Sequence, residues 1–180
     1  MKSTNKTNIA QLGHPILRAI AQPIEKIPSA DTQSLINQMM VCVKQAGGVG
    51  IAAPQLHINQ RVFIICSTPN ERYPNAPLIE PTAIINPKIL EKSNEMVSDW
   101  EGCLSVPAIR GFVPRHKTIK AQYFDSEGNQ HIAEFHGFVA RIFQHEIDHL
   151  DGLTFIDRVI STKDLISESE WYRQFHQKSE

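Results

Sequence analysis

The sequence predicts an α+β fold: short antiparallel strands and sheets packed around a central helix in the C-terminal half, with one helix near the N-terminus and another at the C-terminus. Three observations carry that expectation. An apolar stripe at helical spacing follows Asp31, short β-branched runs fill the middle of the chain, and after Gly137 the apolar period lengthens to that of a helix. Strands grouped between single helices, without alternating strand–helix units, argue against a parallel sheet.

The elements follow in order. Gly13, Pro15, Pro23 and Pro28 punctuate the first thirty residues, which are expected to wrap the surface irregularly. Asp31 is placed to cap a helix whose stripe is Leu35, Ile36, Met39, Met40 and Val43, ended by Gly47 and Gly48. Gly48-Val-Gly-Ile-Ala-Ala-Pro-Gln55 is too rich in small side chains for a helix or a well-packed strand. It reads as a loop whose backbone a ligand can approach closely. Arg61–Cys66 and Ala83–Asn86 read as apolar strands. Between them, residues 68–81 hold Pro69, Pro74, Pro77 and Pro81, a loop that cannot sit in a central sheet. Lys88–Leu90 and Glu95–Val97 read as short strands around a Lys92-Ser93-Asn94 turn. Thr118–Phe124 and Gln130–Phe135 flank Asp125-Ser-Glu-Gly-Asn129, a hairpin signal. The helix after Gly137 runs to about Leu150, stopped by Asp151-Gly152, and a polar helix is expected over Thr162–His176. No repeat or linker divides the chain. Residues 1–180 are read as one domain, with a core over about 10–160 and a helical tail over 161–180.

Composition narrows the function classes. The 180 residues carry 18 Lys+Arg against 19 Asp+Glu, a formal net charge of −1, which excludes wholesale electrostatic capture of nucleic acid or anionic membrane. Three cysteines are an odd count in a chain large enough to fold without staples, which points to a reducing compartment. The polar N-terminus lacks an apolar segment and cleavage site, and no stretch approaches the ~20 apolar residues of a membrane span. A cytoplasmic protein is the expectation.

The sharpest chemical signal is His145-Glu-Ile-Asp-His149. Residues four apart share a helix face, so both imidazoles can meet one metal ion, and Phe138, Ile142, His145 and His149 form a single stripe turned to the core. Glu146 stands beside the pair, where a general base for an activated water belongs. A catalytic site needs a third protein ligand and an open position for water. No further histidine follows at the extended metzincin spacing, because the helix ends at Asp151-Gly152. His14, His57, His116, His131, His136 and His176 lie in polar contexts that suit the surface. Cys42 and Cys66 sit in apolar runs and read as small core residues. Cys103, after a glycine and outside any regular period, reads as a thiolate ligand for a borderline or soft divalent metal.

Gly48-Val-Gly-Ile-Ala-Ala-Pro-Gln55, Glu101-Gly-Cys-Leu-Ser105 and Gln144-His-Glu-Ile-Asp-His149 resemble, in order and approximate spacing, the three signature motifs of peptide deformylases. Gly13-His-Pro-Ile-Leu-Arg18, Ile85-Asn-Pro87, Val113-Pro-Arg115 and Phe155-Ile-Asp-Arg158 extend the resemblance over about residues 10–160. Ile51 stands where leucine is commoner, a volume-conserving change. The resemblance implies that Cys103, His145 and His149 bind one divalent ion, Fe(II) foremost, with Zn(II), Ni(II) or Co(II) accepted by the same ligands. It implies hydrolysis of the formyl group of N-formylmethionyl nascent peptides, releasing formate, with Glu146 as general base and then acid. Gln55 and the backbone N–H of Leu104 would stabilise the oxyanion. Val49 and Gly50 would lie along the peptide, and Val49, Phe138, Ile142 and the stem of Arg141 would line a methionine pocket. Arg110 follows the cysteine motif where a family arginine approaches the peptide. Glu101 reads as a carboxylate that orients a ligand or a neighbouring cation, and Asp148 as a surface residue of the helix.

Two other readings share part of this pattern. An endopeptidase would draw its third ligand from a downstream Glu or His rather than Cys103, and a metal-stabilised binding module would need four protein ligands and no Glu146. Some family members dock on the ribosome through a basic C-terminal helix. Here Lys163, Arg173 and Lys178 alternate with Asp164, Glu168, Glu170 and Glu180, a charge mixture that does not support docking. A monomer without direct nucleic-acid or membrane contact is the expectation.

Overall fold

The computed structural model describes residues 8–69 and 76–175. The first helix, α1 (Ala30–Ala46), ends on Gly47 in the left-handed conformation, which glycine adopts without steric cost. Ser29, not Asp31, caps its start: the Ser29 hydroxyl accepts the Thr32 backbone N–H, while Asp31 lies in the first turn and complements the helix dipole. The described residues form eight strands: β1 (Gly50–Ala52), β2 (Val62–Ser67), β3 (Ile79–Lys92), β4 (Met96–Cys103), β5 (Val106–His116), β6 (Thr118–Phe124), β7 (Gln130–His136) and β8 (Leu165–Ser167). Helix α2 spans Gly137–Leu150 and α3 spans Glu168–Phe175. The fold is α+β, as the grouping of strands predicts.

Two antiparallel sheets result, one ordered β1-β2-β3-β6-β7 and the other β4-β5-β8. Strand β2 shows how the layers are built. Val62 and Ile64 join Leu35, Ile36, Met39, Cys42 and Val43 of α1 on one face; Phe63 and Ile65 join Ala140, Ile142, Phe143, Ile147 and Leu150 of α2 on the other. Burial on both faces is why this segment reads as an unbroken apolar run. Each such side chain contributes about 1.5–3 kcal/mol by leaving water, so the two faces clamp the sheet between the helices. The smaller sheet has its own cluster of Val106, Val113 and Phe155, and Cys103 packs against it.

Several expectations need correction. Gly48–Gln55 is not a loop throughout: Gly50–Ala52 pairs with Phe63–Ile65, and Ala53–Leu56 forms a 3₁₀ turn. Its small side chains suit a strand squeezed between two helices. The proline-rich stretch is part strand, because β3 begins at Ile79 and includes Pro81, which lies where the register with β2 slips between Ile65 and Ser67. Pro87 lies at the second slip, opposite β6, and at both sites the irregularity removes the need for a proline N–H. Pro74 lies outside the described residues. Residues 88–90 and 95–97 do not pair around their turn; β3 pairs with β6 and β4 with β5, so the chain passes there from one sheet to the other. The Asp125–Asn129 hairpin forms as expected, with Asp125 accepting the Glu127 and Asn129 N–H groups. The C-terminal stretch is helical only from Glu168. Thr162–Asp164 is a 3₁₀ turn and Leu165–Ser167 is a strand on β5, and His176 lies outside the described residues. The first thirty residues are irregular but not merely superficial, because Ala10, Leu17, Ala21 and Ile24 are buried. No described helix is long and apolar enough to cross a membrane.

Gly152 ends the turn after α2 at φ +75°, and a Cβ there would stand 2.7 Å from the Arg18 carbonyl oxygen. Both the backbone conformation and the contact exclude a side chain. Gly152→Ala is expected to destabilise the fold by about 2–4 kcal/mol, read as a lower midpoint in urea at unchanged m-value.

Candidate metal centre and active-site cavity

Helix α2 enters the interior directly after β7 and is buried along most of its circumference from Ala140 to Leu150. His145 and His149, one turn apart, therefore present their rings together, with centroids 5.2 Å apart. Cys103 comes to them from the end of β4, where the register with β5 slips between Gly102 and Cys103. A bulge of this kind redirects a side chain out of the strand alternation, which is why Cys103 shows no period in the sequence. Its Sγ lies 3.2 Å from His149 Nε2, and the ligand atoms of Cys103, His145 and His149 all lie within 4.8 Å of one another. Among the described residues this is the one cluster of that kind.

The chemistry of the donors fits a first-row divalent ion. His149 and His145 hold the Cys103 thiol well below its ordinary range, against the opposing effect of burial. Cys103 and Glu101 raise His145, again against burial. One thiolate and two imidazoles could serve as three protein ligands, a donor set that would leave a position for water.

Glu101, two residues before the cysteine on β4, is the hinge of the arrangement. Its Oε2 accepts from His145 Nδ1 at 2.9 Å, which turns the other ring nitrogen toward the cluster. Arg115 Nε and Nη2 bind the two Glu101 oxygens at 2.9 and 3.0 Å, and Arg141 Nη1 binds Oε1 at 2.8 Å. The remaining nitrogen of Arg115 donates to Asp148 at 2.6 Å, and Arg158 closes on the same carboxylate at 2.6 Å. Burial opposes ionisation of Glu101, yet Arg115 and His145 hold its carboxyl well below the usual range. Asp148 is thus not a surface residue: it is 3% exposed and anchors two arginines.

A cavity of about 230 Å³ opens beside the cluster. Val49, Gly50, Phe138, Arg141 and Ile142, expected around a side-chain pocket, all line it, with Leu104 and Glu146. The Arg141 guanidinium is held by Glu101 and the Val113 and Val97 carbonyls. Glu146 is buried, and one carboxyl oxygen has no protein partner; burial pushes its carboxyl up to about 7. Gln55 is locked in orientation: Oε1 accepts the Ala52 N–H at 2.8 Å, and Nε2 faces Ser105 Oγ at 3.1 Å and Cys103 Sγ at 3.5 Å. Arg110 is 1% exposed and sits beneath α3, with Nη2 on Glu168 at 3.0 Å and its guanidinium carbon 3.9 Å from the Trp171 ring centre. It also lines the cavity, so although it is buried it stands in the wall of the space beside the cluster. Cys42 is buried in the core. Cys66 packs against the same cluster, with burial pushing its thiol up to about 11.

Sequence reasoning about single residues passed over Arg115, Arg158 and Ser105, and misplaced Asp148 on the surface. Ser105 and Asp148 lie inside the cysteine and histidine motifs, and Arg115 and Arg158 end two shorter segments singled out above, but nothing in their spacing shows that they converge. Arg115→Met would leave two buried carboxylates short of a partner. It is expected to cost about 3–5 kcal/mol of stability and to weaken metal retention roughly 10- to 100-fold, read by denaturant unfolding and by metal analysis after dialysis.

Comparison with known proteins agrees with this geometry. The polypeptide deformylase family matches residues 6–164. Peptide deformylase 2 of Nostoc sp. is 55% identical over 163 residues, 91% of each chain, and peptide deformylase 2 of Shewanella oneidensis is 47% identical over 151 residues, 83% of this chain and 82% of that one. Among solved structures, the class I type b peptide deformylase of Acinetobacter baumannii with Met-Ala-Ser bound superposes with a TM-score of 0.83 at 44% identity, covering 84% of this chain and 96% of that one. With a family match across most of its length and relatives at this identity, the chain belongs to the peptide deformylase family.

Proposed function

We propose that residues 1–180 act as a single catalytic domain that hydrolyses the formamide of N-formylmethionyl nascent peptides, yielding formate and a free methionine amine. The observation that carries this reading is the convergence of Cys103, His145 and His149 beside a cavity that also holds Glu146 and Gln55. A divalent ion held by those three ligands supplies Lewis acidity and brings the pKa of a water toward ~7. Fe(II) is the proposed ion, and Zn(II), Ni(II) and Co(II) suit the same donors.

The chain's own residues do the rest. Glu146 accepts the proton of the attacking water and returns it to the departing amine nitrogen as the carbon–nitrogen bond breaks. A carboxyl held near neutrality by burial suits both directions of that transfer. The Gln55 Nε2 N–H that rests against Cys103 Sγ at 3.5 Å leaves it, and with the Leu104 backbone N–H donates to the former formyl oxygen as that oxygen gains charge. Gln55 is pre-organised for this by its bonds to Ala52 and Ser105. Val49 and Gly50 lie along the peptide backbone, and Phe138, Ile142 and the Arg141 stem receive the methionine side chain. Glu101 holds the His145 ring. The site accepts free formylmethionyl peptides as a monomer in the cytoplasm, and the mixed charge of the tail gives no electrostatic basis for ribosome docking.

The test is formate release from formyl-Met-Ala-Ser. Glu146→Gln is expected to retain its metal and to lose at least about 100-fold in kcat; formate release at the wild-type rate would refute the assigned base. Gly50 bears on the same residue, because a Cβ there would collide with the Glu146 carboxylate. Gly50→Ala should therefore lower kcat by about tenfold or more at unchanged metal content, measured beside Glu146→Gln.

A further inference from the structure

Arg110 is among the largest fully buried side chains of the protein, yet it lines the active-site cavity. A guanidinium in such a place needs acceptors, and Nε and Nη1 have none among the described residues. What holds it comes from the C-terminal segment. Strand β8 pairs with β5 so that Ile166 stands opposite Arg110, and the chain then turns into α3. Glu168 takes Nη2 at 3.0 Å, the Trp171 indole lies under the guanidinium at 3.9 Å, and the Tyr172 ring is 5.9 Å away. Trp171 is itself buried, and Glu168 joins Arg110 in the cavity wall. The family match ends at residue 164, so every one of these contacts comes from beyond it.

We infer that Trp171, with Glu168, is a positioning residue of the substrate site: it holds Arg110 flat against the cavity wall and keeps the cavity mouth open for the peptide. This rests on the deformylase reading of the cavity and adds the C-terminal segment to it. The physical reason is the poor satisfaction of Arg110. A cation with two unpartnered nitrogens stays buried only while a π face and a carboxylate compensate it. Without the indole, the long side chain is free to turn toward water, and the nearest opening is the cavity. Trp171 stands outside the cavity lining that Cys103, His145 and Glu146 share, so its loss acts on peptide binding and not on the chemical step.

The experiment compares wild type, Trp171→Ala, Trp171→Phe and Glu168→Gln. Calorimetry gives the Kd of the tripeptide Met-Ala-Ser, and formate release gives kcat and KM for formyl-Met-Ala-Ser. Trp171→Ala is expected to raise Kd and KM by roughly tenfold while kcat stays within about twofold, and Trp171→Phe, which keeps a π face, recovers most of the loss. Glu168→Gln raises both by a smaller factor and serves if Trp171→Ala does not fold. Unchanged Kd and KM in folded Trp171→Ala overturn the inference, as does a rise that Trp171→Phe does not repair or a kcat loss accompanied by metal loss. A wild type that binds Met-Ala-Ser but releases no formate overturns the deformylase reading alone, since the Kd comparison still decides the role of Trp171. A wild type that binds no tripeptide overturns both.

Discussion

Arg115 carries a full charge into the interior, and the surroundings of the metal centre are organised by what neutralises it. Glu101 on β4 takes two of its nitrogens and Asp148 on α2 takes the third. An unpaired charge at this depth would cost several kcal/mol, so the strand and the helix must keep their relative position for the pairing to close. Glu101 then uses an oxygen already held by Arg115 to grip His145. One ion network thereby joins the smaller sheet to α2 and orients His145, one of the three proposed ligands.

That linkage explains why the donors come from two distant stretches of chain. His145 and His149 are set by helical spacing alone, whereas Cys103 must be delivered across from the smaller sheet. The β4–β5 bulge turns its sulfur toward the histidines, and the Arg115 contacts fix the distance between the strand and the helix. On the other side, β1 brings Gly50 against Glu146, so the absence of a side chain there sets where the carboxylate rests. Gln55 follows within the same turn of chain, with both ends of its amide committed. The result is a site whose polar groups are placed before any ligand arrives, the condition under which electrostatic stabilisation acts without reorganisation.

Legibility in the sequence follows the locality of the cause. The stripe of α2, the Asp125–Asn129 hairpin and the paired histidines depend on neighbours in the chain, and each could be read from spacing. Strand β5 could not, because Pro107, Gly111 and Pro114 break the alternation that marks a strand. β1 was hidden by two small residues, Gly50 and Ala52, around Ile51, and β8, like β1, is too short to show a period. The same division runs through the site. His145, His149 and Glu146 stand out within one motif, and Cys103 was conspicuous because it fits no pattern. Asp148 misled for the opposite reason: a carboxylate on a helix suggests solvent, and only the approach of Arg115 and Arg158 from elsewhere makes burial tenable. Arg110 was placed near the peptide by resemblance, while the α3 residues that cover it lie at a sequence separation no local pattern reveals.

The central claim is that one ion bound through a thiolate and two imidazoles makes the cavity a hydrolytic site. Titrating the metal-depleted protein with Co(II) tests it most directly, following the visible and near-ultraviolet spectrum together with formate release from formyl-Met-Ala-Ser. The account predicts saturation at one ion per chain, a sulfur-to-cobalt charge-transfer band, tetrahedral ligand-field bands, and formate release that rises in proportion to occupancy. Full activity in the metal-depleted protein, or saturation without the thiolate band, would contradict it.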